Sequence, residues 1–185
     1  STDGGKTWGT PTLLQGVISG AINSLVPSFY KKSNGNILML FFVQTVGTPS
    51  PISKIYKIEY DQSFNVVSSA SDIGLTSGYY SPASDRLFYD TVNNKLLYAT
   101  AKLVSGNGAS FSSIYEAKVF QSSNEGTTWT DTGLSIGSSV KILENTVGGA
   151  TEPGIVRSPL TGLMVYFRTL TGYIYAQKLS DAYAK

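Results

Sequence analysis

The chain has 185 residues, enough for one domain with a core of its own, and is 41% hydrophobic but only 14% charged. Its 14 basic and 12 acidic residues leave a net charge of +2 and are scattered, which argues against nucleic acid as a partner. It holds no Cys and no His, so disulfides, thiolate or imidazole metal sites, Cys nucleophiles and His-based triads are excluded for this chain. The remaining weight falls on Ser, Thr, Gly and 12 Tyr, a composition that leans to β structure. No apolar run reaches 18 residues, so no helical membrane span is expected.

In chain order, the first element is Ser1-Thr2-Asp3-Gly4-Gly5-Lys6-Thr7-Trp8. It recurs as Ser122-Ser123-Asn124-Glu125-Gly126-Thr127-Thr128-Trp129. Both read Ser-x-(Asp/Asn)-x-Gly-x-Thr-Trp, the pattern of a tight turn. The Asp or Asn side chain accepts hydrogen bonds from its own turn. Gly takes the positive-φ position. The Trp leaves the turn and is expected to bury its ring as a core residue of that turn. After Trp8, residues 9–16 read as an outer strand. Val26–Tyr30 reads as a short strand, Ser33–Asn36 as a hairpin turn, and Ile37–Val43 as a strand buried on both faces. Residues 47–51 read as a loop and Lys54–Tyr60 as the next strand. Tyr80-Ser81-Pro82 opens a second unit: a strand at Arg86–Asp90, a turn at Asn93-Asn94, a buried strand at Leu96–Ala101, a loop over 104–113 and a strand at Ile114–Phe120. A third unit starts at Glu152-Pro153. It has a strand at Ile155–Arg157, a turn at Pro159–Gly162, a buried strand at Leu163–Phe167, a turn at Thr171-Gly172 and a strand at Tyr173–Leu179.

These units are a repeat. Ile55-Tyr56, Ile114-Tyr115 and Ile174-Tyr175 recur at intervals of 59 and 60 residues, and the two octamers stand 121 apart, two such periods. Degenerate copies of the turn are expected at Asp61–Asn65 and at Ser180-Asp181. Four-stranded units at a fixed period read as propeller blades. A propeller closes with about four to eight blades, and about three are present, so the chain is expected to be part of a larger ring whose further blades come from the same or another chain. Ser1 falls on the first residue of a motif that normally follows a strand, so the start is expected to be a cut. The expected division is 1–23 as the end of a preceding blade, 24–77 and 78–148 as blades, and 149–185 as an incomplete blade. A sandwich or a solenoid is the competing all-β reading.

The octamer resembles the Asp box, or BNR repeat, of sialidases and other Asp-box β-propellers. Ser1, Asp3, Gly5, Thr7 and Trp8 match it, as do Ser122, Asn124, Gly126, Thr128 and Trp129. The resemblance implies an all-β, six-bladed, sialidase-like propeller of antiparallel blades. The stretch from Glu152 to Arg168 is similar to a sialidase element in which a Glu opens the first strand of a middle blade and an Arg ends the second. In that family the Glu raises the reactivity of a nucleophilic Tyr and the Arg helps hold the substrate carboxylate. Glu152 is thereby the candidate catalytic residue and Arg168 the candidate substrate clamp, a role that suits a fork of donors that keeps its proton. The family's other arginines, its acidic Asp and its Tyr nucleophile have no counterpart here. Tyr80 and Asp85, at a blade entrance, are further substrate-binding candidates, and Tyr79, Phe111, Tyr173 and Tyr175 could stack on sugar faces. Arg157 is read as solvent-facing or an ion-pair partner. The expected function is a glycan-directed module of an exo-sialidase-like glycoside hydrolase acting on terminal acidic sugars. The alternative is a non-catalytic propeller used for glycan or protein binding or for assembly. Either implies an extracellular, secreted, virion or cell-surface location. No metal or organic cofactor is expected.

Overall fold

A computed structural model of the chain describes residues 3–11, 14, 18, 20–45, 52–75, 80–81, 87–105, 114–136, 150–169 and 172–181. Among them there are strands and turns and no helix. The first sheet is a meander of β1 (Ala21–Lys31), β2 (Ile37–Thr45), β3 (Ile52–Tyr60) and β4 (Val66–Asp72), each antiparallel to its neighbour. In the second, β5 (Tyr80–Ser81) and β6 (Phe88–Asp90) both pair with β7 (Lys95–Ser105), so the first strand comes in two pieces. β8 (Ile114–Ser122) and β9 (Thr130–Ile136) follow. The third sheet is β10 (Thr151–Ser158), β11 (Gly162–Arg168) and β12 (Ile174–Lys178).

The sheets stack face to face, and the side-chain alternation of their second strands says why. In β2 the even residues Leu38, Leu40 and Phe42 join Leu96, Tyr98, Phe120 and Trp129 of the second sheet. The odd residues Met39, Phe41 and Val43 join Ile58 and Tyr60 on the other face, with Leu14 and Ile18 packed against them. In β7 the even residues point back to the first sheet, while Leu97 and Ala99 meet Leu163, Val165 and Phe167 of the third. A strand covered on both faces is apolar at nearly every position, as Ile37–Val43 and Leu96–Ala101 are, with buried Thr100 the polar exception. In β11 only one face is covered: Leu163, Val165 and Phe167 are buried, while Met164, Tyr166 and Arg168 point the other way.

Two first strands carry the same irregularity. The β1–β2 register slips between Leu25 and Ser28, and the β10–β11 register slips between Thr151 and Gly154. Val26 and Glu152 sit in these bulges with φ of 51° and 49°, each followed by a Pro that has no N–H to give a ladder. Positive φ is rare outside Gly, above all for a β-branched residue. The repeat therefore extends to backbone strain.

Four expectations are corrected. The described residues of 9–16, namely 9–11 and 14, are in no strand. Pro11 there cannot donate to a ladder. The short strand at 26–30 is the middle of β1, which runs from Ala21 to Lys31 because the bulge lets it continue. β7 runs on to Ser105, into the segment expected as loop. Trp129 is buried at 6% exposure, but Trp8 is 78% exposed, because no sheet among the described residues lies against its turn.

Candidate functional site

Each sheet has two ends. At one, the first-to-second and third-to-fourth strand turns gather; at the other stand the start of the first strand and the end of the second. The turn at 122–129 joins β8 to β9 and so belongs to the first end; the turn at 3–8 joins no described strand. Asp3 Oδ1 accepts from Lys6 N (3.1 Å) and Thr7 N (3.0 Å), and Thr7 Oγ1 donates to Asp3 Oδ2 (2.6 Å). Asn124 Oδ1 accepts from Thr128 N (2.9 Å), and its amide donates to Thr128 Oγ1 (2.8 Å). Ser122 Oγ accepts from Gly126 N at 2.8 Å. Trp8 Nε1 and Trp129 Nε1 donate to the carbonyls of Gly5 and Gly126 at 3.0 and 3.1 Å. The degenerate turn works the same way, with Asp61 Oδ1 accepting from Ser63 N and Asn65 N. Ser1 lies outside the described residues.

These turns also link neighbouring sheets. Glu125 accepts from Ser33 N and Ser33 Oγ, both at 2.9 Å, across 92 residues. Lys57 Nζ donates to the Thr127 carbonyl. One period on, Asp90, 0% exposed at its side chain, accepts a two-pronged fork from Arg157 Nε and Nη2, both at 2.8 Å. Arg157 Nη1 donates to Asp181 Oδ1 at 2.9 Å, and Asn93 Nδ2 bridges Asp90 Oδ2 and the Asp181 carbonyl. Burial opposes ionisation of Asp90 most strongly. The Arg157 fork, Asn93 and the Val92 N–H outweigh it together and hold the carboxyl below the usual carboxylate range. The ion-pair reading of Arg157 holds; its partner Asp90 was not named from sequence, because the two are 67 residues apart. The one local signal was the Asp90-x-x-Asn93 turn.

The candidate site lies at the opposite end. The bulge turns Glu152 out at the start of β10, and Arg168 closes β11 beside it. Arg168 Nε and Nη2 donate to Glu152 Oε2 and Oε1 at 2.5 and 2.6 Å, side chains 43% and 42% exposed. The Arg168 hydrogen bonds, against some burial, hold the Glu152 carboxyl below its ordinary range, and Glu152 raises Arg168 in return. A pair this exposed is worth at most about 1 kcal/mol of stability, so folding alone gives it little reason to exist. Its place in the repeat is informative. Ladder register puts Glu152 and Arg168 at the positions of Val26 and Phe42, which in the first sheet are apolar and packed against the second. A charged pair has replaced an apolar contact on an unchanged backbone.

Thus Glu152 and Arg168 are brought together. The carboxylate is ionised and bound to the guanidinium, which makes it an acceptor and an orienting group; a depressed pKa makes it a weak base. Tyr173, 65% exposed, stands at the same end, its backbone fixed by Thr169 N donating to Tyr173 O at 2.9 Å and its ring edge-on to Tyr175 at 6.4 Å. Tyr175 is turned inward, stacked on Phe167 at 6.0 Å. Tyr80 opens β5 opposite Lys102 at this end, its side chain outside the described residues, as are Tyr79, Asp85 and Phe111. Among the described residues no cluster of acidic, His or Cys side chains could hold a metal ion, and no helix is long and apolar enough to cross a membrane.

No protein-family model matches the sequence, and no curated protein matches it. Solved structures do. A thermostable family-43 glycoside hydrolase aligns at TM-score 0.57 with 13% identity, over 86% of this chain and 56% of that one. The catalytic domain of the Coprinopsis cinerea GH62 alpha-L-arabinofuranosidase aligns at TM-score 0.55 with 14% identity, over 88% of this chain and 49% of that one. The likeness is one of fold: the three sheets are blades of a β-propeller. The chain spans about half the length of these two neighbours. They speak for the propeller without singling out the Asp-box kind.

Proposed function

We propose that the chain is part of a glycan-directed, sialidase-like Asp-box propeller of the hydrolase type, met at an extracellular, secreted or virion surface. Arg168 holds an acidic terminal sugar in it. The observation that carries this reading is the exchange of an apolar rim pair for Glu152 and Arg168 at the end opposite the box turns. Two structural neighbours that are glycoside hydrolases support the coarser part, action on glycans. Glu152 engages Nε and Nη2 of the guanidinium and so fixes its plane. Exposed Tyr173 offers a ring face beside it. A second reading, a binding propeller without catalysis, is favoured by one fact: the Glu152 carboxylate is engaged by Arg168, whose pull lowers its basicity.

The test is calorimetric titration with N-acetylneuraminic acid and with L-arabinose. The acidic sugar should bind and the neutral one should not, and Arg168→Lys should weaken binding at least ~10-fold because an ammonium cannot reproduce the fork. Preference for L-arabinose would remove the acidic-sugar part, and no binding of either would remove the glycan reading.

A further inference from the structure

Successive residues of a strand point to opposite faces of its sheet, so β6 turns Tyr89 toward the first blade and Asp90 toward the third. Both are met near the end of a neighbouring first strand. Arg157, one step from the end of β10, holds Asp90. Tyr30, one step from the end of β1, lies against Tyr89. The two rings are stacked, with centroids 5.7 Å apart and planes 25° from parallel, and both are half-buried at the junction of the first two blades. An ion pair ties one side of the second blade; at the same level an aromatic pair holds the other.

The hydroxyls of this pair are fixed as well. Tyr89 donates to Asn94 Oδ1, and Tyr30 donates to Glu125 Oε1 at 3.4 Å. Glu125 is itself held in place by the Ser33 N–H and hydroxyl. Burial first, then the Glu125 charge and Tyr89, pushes the Tyr30 phenol up, so it carries its proton and aims it at a carboxylate. A phenol gives up an electron more readily when its proton has an acceptor at hand. Tyr173 and Tyr175 also touch, but edge-on, with planes 62° apart and centroids at 6.4 Å, and they stand two residues apart in the chain.

We propose that Tyr30 and Tyr89 are an oxidative coupling site, joined as dityrosine by a peroxidase-type oxidant with hydrogen peroxide, and that the bond fastens the first blade to the second. Each phenol gives up one electron and one proton, the Tyr30 proton passing to Glu125 and the Tyr89 proton to solvent. The two phenoxyl radicals join through the ring carbons beside their hydroxyls. The hydrogens on those carbons then move to the oxygens and restore both phenols. The protein loses two hydrogens in all, and the peroxide takes up two electrons and two protons to become two waters. In a chain with no Cys this is a covalent tie that no disulfide supplies. It closes a loop of 89 − 30 = 59 residues, which restricts the unfolded chain as a cross-link does.

The experiment treats the dilute protein with a plant heme peroxidase and hydrogen peroxide, isolates the monomer by size exclusion and maps its peptides by mass spectrometry. The monomer should gain dityrosine fluorescence, lose the mass of two hydrogens and yield a cross-linked peptide pair holding Tyr30 and Tyr89. Its Tm should rise by roughly 10 °C on treatment. Tyr30→Phe and Tyr89→Phe keep the stacked ring and remove the phenol. Each should fold, by circular dichroism, and should give neither this product nor the rise in Tm. Coupling only between molecules, or within the monomer only at Tyr173, which is 65% exposed, overturns the proposal. So does an unchanged yield in either Phe variant, or a linked monomer that melts no higher than before treatment.

Discussion

Arg157→Ala should be among the most damaging single changes outside the apolar cores. It removes both N–H groups that hold the Asp90 carboxylate at 2.8 Å, while Asn93 Nδ2 at 2.9 Å and Val92 N at 3.2 Å still donate to it. Asp90 is fully buried and Arg157 only 17% exposed at its side chain. Hydrogen bonds to charged groups contribute about 1.5–3 kcal/mol each, and stranding a buried charge costs about 3–5 kcal/mol. For a chain of this length that is a fall in Tm of roughly 10 °C. Asp181 also binds Arg157 but is 66% exposed, so Asp181→Ala should cost under about 1 kcal/mol. Urea titrations followed by circular dichroism compare the two directly. Equal effects, or an Arg157→Ala loss below about 1 kcal/mol, would refute the claim that burial makes the clasp valuable.

The Asp90 pKa is lower folded than unfolded, so the clasp contributes stability above the unfolded value near 4 that is lost as pH falls through the folded one; Tm measured from about pH 7 to pH 2 should drop more for wild type than for Asp90→Asn, which starts lower. Gly126→Ala should cost at least about 2 kcal/mol, because φ is +84° and the new Cβ meets Leu38; thermal melts check it, with exposed Gly133→Ala, also at positive φ but with open space, as the milder control. Phe167→Ala removes a ring that is 2% exposed and stacked on Tyr175, and should lose about 3–5 kcal/mol in the same melts. Glu152→Gln should leave folding stability within about 1 kcal/mol of wild type while changing sugar affinity, which calorimetry separates from a structural role.

The parts of the fold that local chemistry dictates were legible. Ile37–Val43 and, apart from Thr100, Leu96–Ala101 are apolar because both faces are covered, and the turns at 33–36, 61–65 and 124–129 carry the side chains that cap them. Long-range partners were not legible. Nothing in the octamer distinguishes Trp8 from Trp129; what differs is whether a sheet lies against the turn. β1 was read short because Ala21–Leu25 does not alternate cleanly and a Pro follows Val26, and only the bulge reconciles the two. Glu152 and Arg168 were singled out from a resemblance. Their fork pair needed the ladder, since it is the Thr151–Arg168 register that sets them side by side.

The bulge before each first-strand Pro has an evolutionary consequence. It anchors the residue at its tip by backbone geometry alone, so Val26 and Glu152 occupy one socket with unlike chemistry. A blade is then a cassette whose packing is written in its second strand and whose rim chemistry is written in two residues. A propeller of such cassettes can change the charge and polarity of its rim by pairwise substitution, one blade at a time, on the same backbone.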